Sequence, residues 1–264
     1  MSKIQNLFRA AVVGVFALAG GSAQAALIDL GFSLDSSGSV AFSDFDTTRQ
    51  ALANALSVIP VTGPNEYRVA VTSFSNGSQT VVSPTIITAA NLAGIQNAVR
   101  GAFYFGGGTD TAGAITSLAG LFSGTVGGLG ATTLLNITTD GVPNSQQDAE
   151  DAAQAALAAG VDGISFEAIG FIDETALENM AAIAGPGAGV IVDDLTMIPN
   201  ATVQGFVIPV SDFAGYSAAI AAKIGRIVDD TGGGTPVVPL PAGLPLLLSA
   251  IVLFAGLRAK RRAA

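Results

Sequence analysis

Residues 27–39, LIDLGFSLDSSGS, decide how the chain reads. The run 27–34 is apolar enough for a buried strand, and Asp35-Ser36-Ser37-Gly38-Ser39 follows where that strand should end. One carboxylate and two hydroxyls, Asp35, Ser37 and Ser39, therefore share a single turn. All are hard oxygen donors of the kind Mg²⁺ takes, and Mg²⁺ usually keeps waters and few direct protein ligands. Gly38 lets the backbone fold tightly enough for both hydroxyls to face inward. Ser and Gly are also common loop residues, so the turn alone reads first as an ordinary strand-to-helix connection and only second as a metal site.

Outward from this turn the chain alternates in a βα pattern, which predicts a parallel sheet covered by helices. A helix is expected over 43–58, with apolar residues at Phe45, Leu52, Leu56 and Val58. Strands follow over 67–75 and 79–85, joined by a hairpin turn at Asn76-Gly77. Then come a helix over 91–103, a loop at Gly106-Gly107-Gly108-Thr109-Asp110-Thr111 and the helix it opens, to about 122. A strand over 132–138, with Leu134, Leu135 and Ile137 as its apolar residues, ends in Thr139-Asp140-Gly141. The rest reads as helix 145–159, strand 165–170, helix 174–184, edge strands 190–192 and 206–209, and a closing helix 211–228.

In an open parallel sheet, ligands bind beyond the C-terminal ends of the strands. The Asp35 and Asp140 loops both lie there, and the 106–111 loop opens the intervening helix at the same edge. Asp35, Ser37, Ser39, Thr109 and Asp140 thus converge. Two carboxylates would offset a divalent charge, three hydroxyls would fill further positions or hold water, and one position would remain for an acidic group from a partner.

This set resembles the metal-ion-dependent adhesion site (MIDAS) of von Willebrand factor A domains: DSSGS for D-x-S-x-S, GGGTDT for the G-G-T loop, and ITTDGVPN for the T-D-G loop. The likeness extends over roughly 26–228. It includes Ala168-Ile169-Gly170-Phe171 with Leu177 and Ala182-Ile183-Ala184, similar to the family's fifth strand and helix. It implies an α/β, Rossmann-like fold: a central, mostly parallel sheet with one antiparallel edge strand and helices on both faces. The implied ligands are Asp35, Ser37, Ser39, Thr109 and Asp140, holding Mg²⁺ or Mn²⁺. The stretch 190–210 departs from the pattern, being longer than a typical connection to the last helix.

Composition narrows function further. The 264 residues contain no Cys and no His. Disulfides, thiolate sites, imidazole catalysis and His-ligated zinc are therefore out. Six of the 11 basic residues lie at the two ends: Lys3, Arg9, Arg258, Lys260, Arg261 and Arg262. Five remain between them against all 20 acidic residues. A body this acidic argues against nucleic acid, whose affinity comes from Lys and Arg on phosphates, and fits a cation-attracting surface.

Both ends read as address labels. Residues 1–25 have a basic start, the apolar stretch 10–20 and Ala23-Gln24-Ala25, the pattern of a secretory signal cut by signal peptidase. Residues 229–237 read as a Gly-rich flexible linker. Val238-Pro239-Leu240-Pro241-Ala242, the apolar run 243–257 and the basic tail 258–262 resemble PEP-CTERM sorting signals of the VPLPA type. A plain membrane anchor shares that composition, and only the five-residue motif separates the two. The resemblance implies recognition by an exosortase, transient anchoring in the inner membrane by the helix, and delivery to the cell surface or extracellular matrix of a Gram-negative bacterium.

Three functions are in play. The first is an exported binding or adhesion module that engages an acidic group of a protein or matrix ligand through the metal. The second is a structural matrix protein whose metal only stabilises the fold. The third, distant, is a phosphatase, because Asp44-Phe45-Asp46-Thr47-Thr48 matches D-x-D-x-T. That chemistry needs its first Asp at the end of a buried strand and a Lys near the phosphate. Neither is evident, and Asp44 or Asp46 is read instead as capping the first helix. The expectation is a non-enzyme. Two of Phe103, Tyr104 and Phe105 are expected to plug the core, ahead of the alternative that they line a partner-binding rim. Asp173 and Glu174 read as a helix start, and Asp110 reads either as a helix cap or as a water-mediated metal contact.

Overall fold

The computed structural model describes residues 25–170 and 173–232. Its centre is β1 (Leu27–Asp35), whose side chains alternate between the two faces of the sheet. Ile28, Leu30, Phe32 and Leu34 enter one apolar core. The other face carries Asp29, Gly31, Ser33 and Asp35. A Cβ on Gly31 would lie 3.0 Å from both Leu135 and Phe122, so the missing side chain lets a helix close directly onto the strand.

Around β1 stand β2 (Glu66–Phe74), β3 (Ser78–Ile86), β4 (Thr132–Thr139), β5 (Gly163–Ile169), β6 (Val190–Ile191) and β7 (Phe206–Val210). They form one seven-stranded sheet in the order β3-β2-β1-β4-β5-β7-β6. Among the described strands the β2–β3 hairpin is the single antiparallel pair. Helices α1 (Phe42–Ala55), α2 (Leu92–Arg100) and α6 (Tyr216–Asp230) cover the Leu30 face. Helices α3 (Thr111–Ser123), α4 (Gln146–Ala158) and α5 (Glu174–Ile183) cover the other. The α/β fold with a mostly parallel sheet and one antiparallel edge is as the sequence implied.

Several expectations need correction. Residues 206–209 were read as an edge strand, yet β7 lies between β5 and β6, and its Phe206, Val207 and Ile208 are buried on both faces. The closing helix starts at Tyr216, because Asp212 turns the chain first by accepting from the Gly215 N–H. The linker does not begin at 229: α6 continues to Asp230, and Thr231 bonds Asn65 and Tyr67. Neither Asp44 nor Asp46 caps α1. The N-cap position is Ala41, Asp44 lies in the first turn, and Asp46 pairs with Arg49 at 2.7 Å. The D-x-D-x-T run is thus helix, not the strand end a phosphatase nucleophile needs.

The expected membrane anchorage is also corrected. Among the described residues no helix is long and apolar enough to cross a membrane. The placement at a Gram-negative surface through a C-terminal helix rested on that anchor and falls with it. The signal stretch, the VPLPA motif, the apolar run 243–257 and the basic tail lie outside the described residues.

Candidate metal centre

Three loops meet at the C-terminal edge of β1 and β4. β1 pairs with both β2 and β4 in parallel, which sets the end of β1 beside the end of β4. The turn after β1 is tied down by backbone contacts: Ser36 N–H donates to Phe74 O (2.8 Å) and Gly38 N–H to Gly107 O (2.8 Å). The glycine-rich loop is held from two sides. Gly108 N–H donates to Asn76 Oδ1 (2.7 Å) and Thr109 N–H to Asn144 Oδ1 (2.8 Å). A Cβ on Gly108 would sit 2.8 Å from both asparagines, so only glycine permits this approach.

All five expected ligand residues come together. Asp35 Oδ1 accepts from Ser37 N–H (2.7 Å) and its Oδ2 from the Thr139 hydroxyl (2.6 Å). The Ser37 and Ser39 hydroxyls are 3.0 Å apart, and Ser39 donates to Asp140 Oδ1 at 2.7 Å. A Cβ on Gly141 would lie 3.7 Å from both the Ser39 and the Thr109 hydroxyls, which places Thr109 in the same cluster.

The electrostatics are unbalanced. Asp35 is buried, and neither Asp35 nor Asp140 forms an ion pair among the described residues. Burial pushes the Asp35 carboxyl up to about 6, with the Asp140 charge adding to the rise; burial also raises Asp140. Two carboxylates and three hydroxyls without a countercharge are a hard-oxygen donor set, and a divalent cation fits it. Among the described residues no group of three or more acidic side chains offers another metal cage.

Other expectations sort out locally. Asp110 is a cap: it accepts from Gly113 N–H at 2.9 Å. Asp173 caps α5 through Ala176 N–H. Of the three aromatics only Tyr104 is packed, against Phe42 and Phe45, while Phe103 and Phe105 are exposed and stack edge-on 5.0 Å apart. With exposed Phe42 and Val142 they put apolar surface on the three loops that build the site. The sequence reading gave Thr139 and Asn144 no role of their own at the site, and Asn76 only a place in the hairpin turn. Their signal was position alone, beside Asp140, in the same T-D-G loop, and in the β2–β3 turn.

Residues 29–204 match the von Willebrand factor type A domain family. A search of curated proteins gave no match. Among solved structures, proximal thread matrix protein 1 from the mussel byssus, with a zinc-occupied MIDAS motif, is 17% identical (TM-score 0.57), covering 76% of this chain and 46% of its own. The pilus adhesin SpaC of Lactobacillus rhamnosus GG is 15% identical (TM-score 0.59), covering 78% and 31%. A von Willebrand factor type A protein from Catenulispora acidiphila is 16% identical (TM-score 0.59), covering 77% and 43%. This chain spans less than half the length of each of the three. At these identities the likeness is one of fold.

Proposed function

The chain belongs to the von Willebrand factor type A domain family, and from that premise we propose that it is a divalent-metal-dependent binding module. Asp35, Ser37, Ser39, Thr109 and Asp140 would hold Mg²⁺ or Mn²⁺. The observation that carries this is the buried, unpaired Asp35 carboxylate beside Asp140 in an all-oxygen cluster. The metal would supply a Lewis-acidic point for a carboxylate of a protein or matrix ligand. The chain's own residues do the rest: the two aspartates supply countercharge, the hydroxyls orient around them, and the asparagine-held glycine loop fixes Thr109. Exposed Phe42, Phe103 and Phe105 suit a ligand with apolar groups next to its acid. The adhesin and thread-matrix proteins among the fold's neighbours support adhesion or matrix binding. The matrix neighbour also favours a second reading, in which the metal only stabilises the loops.

Calorimetric titration of the purified chain with Mg²⁺ and Mn²⁺ tests the site. Heat of binding is expected for wild type and is expected to vanish in Asp35→Ala and in Asp140→Ala. A wild type that binds neither ion would overturn the metal reading. Metal binding without metal-dependent capture of any acidic ligand would leave the structural role.

A further inference from the structure

Lys223 is the one Lys among the described residues, and it is buried. It reaches from α6 to the sheet between β4 and β5. Its Nζ donates to Asn136 Oδ1 on β4 and to Glu167 Oε1 on β5, the latter at 2.8 Å. All three side chains are buried. The Phe206 ring centre is 5.1 Å from Nζ. Thr138 donates to Glu167 Oε2 at 3.3 Å and lies 3.1 Å from the buried Tyr216 hydroxyl. Asn136 Nδ2 is buried and has no partner.

An ion pair accounts for Lys223 and Glu167 but leaves the Asn136 amide unexplained. A buried amide nitrogen without an acceptor is costly, and replacing the whole set by apolar residues would avoid that cost. An amine held against a side-chain amide, with a carboxyl in contact with the amine, is instead a set of reactants in place.

We propose that Lys223 and Asn136 join in an intramolecular isopeptide bond, with Glu167 as the proton-transfer group. Glu167 takes one proton from the Lys223 ammonium. The free amine attacks Asn136 Cγ, forming the Nζ–Cγ bond and a tetrahedral centre. The second Nζ proton passes to Nδ2, by way of the Glu167 carboxyl. The Cγ–Nδ2 bond breaks and ammonia leaves, taking up the remaining proton from Glu167 as ammonium. No oxidant, metal or co-reactant is needed. Burial lowers the Lys223 pKa, which favours the nucleophilic amine, although the Glu167 charge opposes the shift. Fixed contact replaces a bimolecular encounter, which is how a weak electrophile such as an amide becomes reachable.

The bond would fasten α6 to β4, the strand that also leads into the Asp140 loop. A pull on α6 would then pass into the centre of the sheet through a covalent link. The inference stands on the buried triad alone and does not depend on the metal reading.

Mass spectrometry of the full chain tests it. Trypsin should release the fragment 101–226 lighter by one ammonia and uncut after Lys223. Lys223→Arg and Asn136→Ala should show no such loss. Glu167→Gln, checked for folding by circular dichroism, should remain unbonded. A wild-type fragment at its full sequence mass, cut after Lys223, overturns the proposal. So does ammonia loss that persists in Lys223→Arg, which would place it at another amide. Loss of water instead would mean a Lys223–Glu167 amide and would likewise overturn the Asn136 assignment. A bonded Glu167→Gln would remove Glu167 from the chemistry and overturn its part.

Discussion

β1 begins and ends with a buried carboxylate on the same face of the sheet, and the two ends are finished differently. Asp29 is 0% exposed and Asp35 is 3% exposed, so burial does not distinguish them. At the Asp29 end, Arg68 reaches across from β2 and grips the carboxylate with two bonds of 2.7 Å. Gly130 N–H and the Thr133 hydroxyl add to it, and the guanidinium continues to Thr125 and Gly128 and lies 5.6 Å from the Phe122 ring centre. At the Asp35 end the donors are neutral, and the next carboxylate is Asp140. A charge out of water must be paired or must bind a cation. The first end carries its cation in the sequence; the second, on the function proposed above, would take one from solution.

The largest expected effect breaks the finished end. Arg68→Ala would leave Asp29 buried and unpaired, at a cost of about 3–5 kcal/mol. Denaturant unfolding measures it. A loss under about 1 kcal/mol would mean that Asp29 is hydrated or protonated, and the contrast with Asp35 would collapse. Saturating Mg²⁺ should not restore this variant to wild-type stability, since the neutral donors that complete the other site are not at this end.

The unfinished end should respond to pH with the opposite sign from an ordinary paired aspartate. Its folded-state value of about 6 lies above the usual 3.8, so the folded protein holds that proton more tightly than the unfolded chain does. The resulting stability is present in full below about pH 4 and is lost as pH rises through about 6, to a total of about 3 kcal/mol. Asp35→Asn should remove this slope and make the metal-free protein more stable than wild type at neutral pH. The substitution is tolerable locally, because the Thr139 hydroxyl can accept from the new amide while donating to Gly141 O, 3.2 Å away. Mg²⁺ should flatten the wild-type slope and leave the variant unchanged. Parallel wild-type and variant profiles without metal would show that Asp35 carries no uncompensated charge.

Much of this was legible in the sequence because strand ends and loop chemistry are local. LIDLGFSLDSSGS contains its own strand, turn and candidate ligands, and the T-D-G loop directly follows a strand. Asp173 was correctly placed at a helix start for the same reason. What failed was non-local. Residues 206–209 look like an edge because they follow a long irregular stretch, but the two-residue strand β6 pairs outside them. Phe103 and Phe105 look like core by composition. Exposure depends on where the loop lies, and it lies at the rim of the site. Arg68 gave no hint of its partner, 39 residues away in sequence. The contacts of Lys223 with Asn136 and Glu167 likewise required the folded sheet.

The smallest expected effect sharpens how the unfinished end keeps its shape. The Asp29 end is held by side chains from β2 and β4, whereas the loop carrying Ser37 and Ser39 is clipped from outside by Tyr104. Its hydroxyl donates to Val40 O at 2.8 Å, with Ser37 O at 3.3 Å, while its ring packs on Phe42 and Phe45. Tyr104→Phe keeps the ring and removes the clip, so the packing term is unchanged and about 1 kcal/mol of hydrogen bonding is lost. If that bond preorganises the loop for the cation, Mg²⁺ affinity should fall by about fivefold for the same free energy, as read by calorimetry. An unchanged affinity with lowered stability would mean that the cation itself orders the turn after β1. The two ends of the strand would then differ in rigidity as well as in charge.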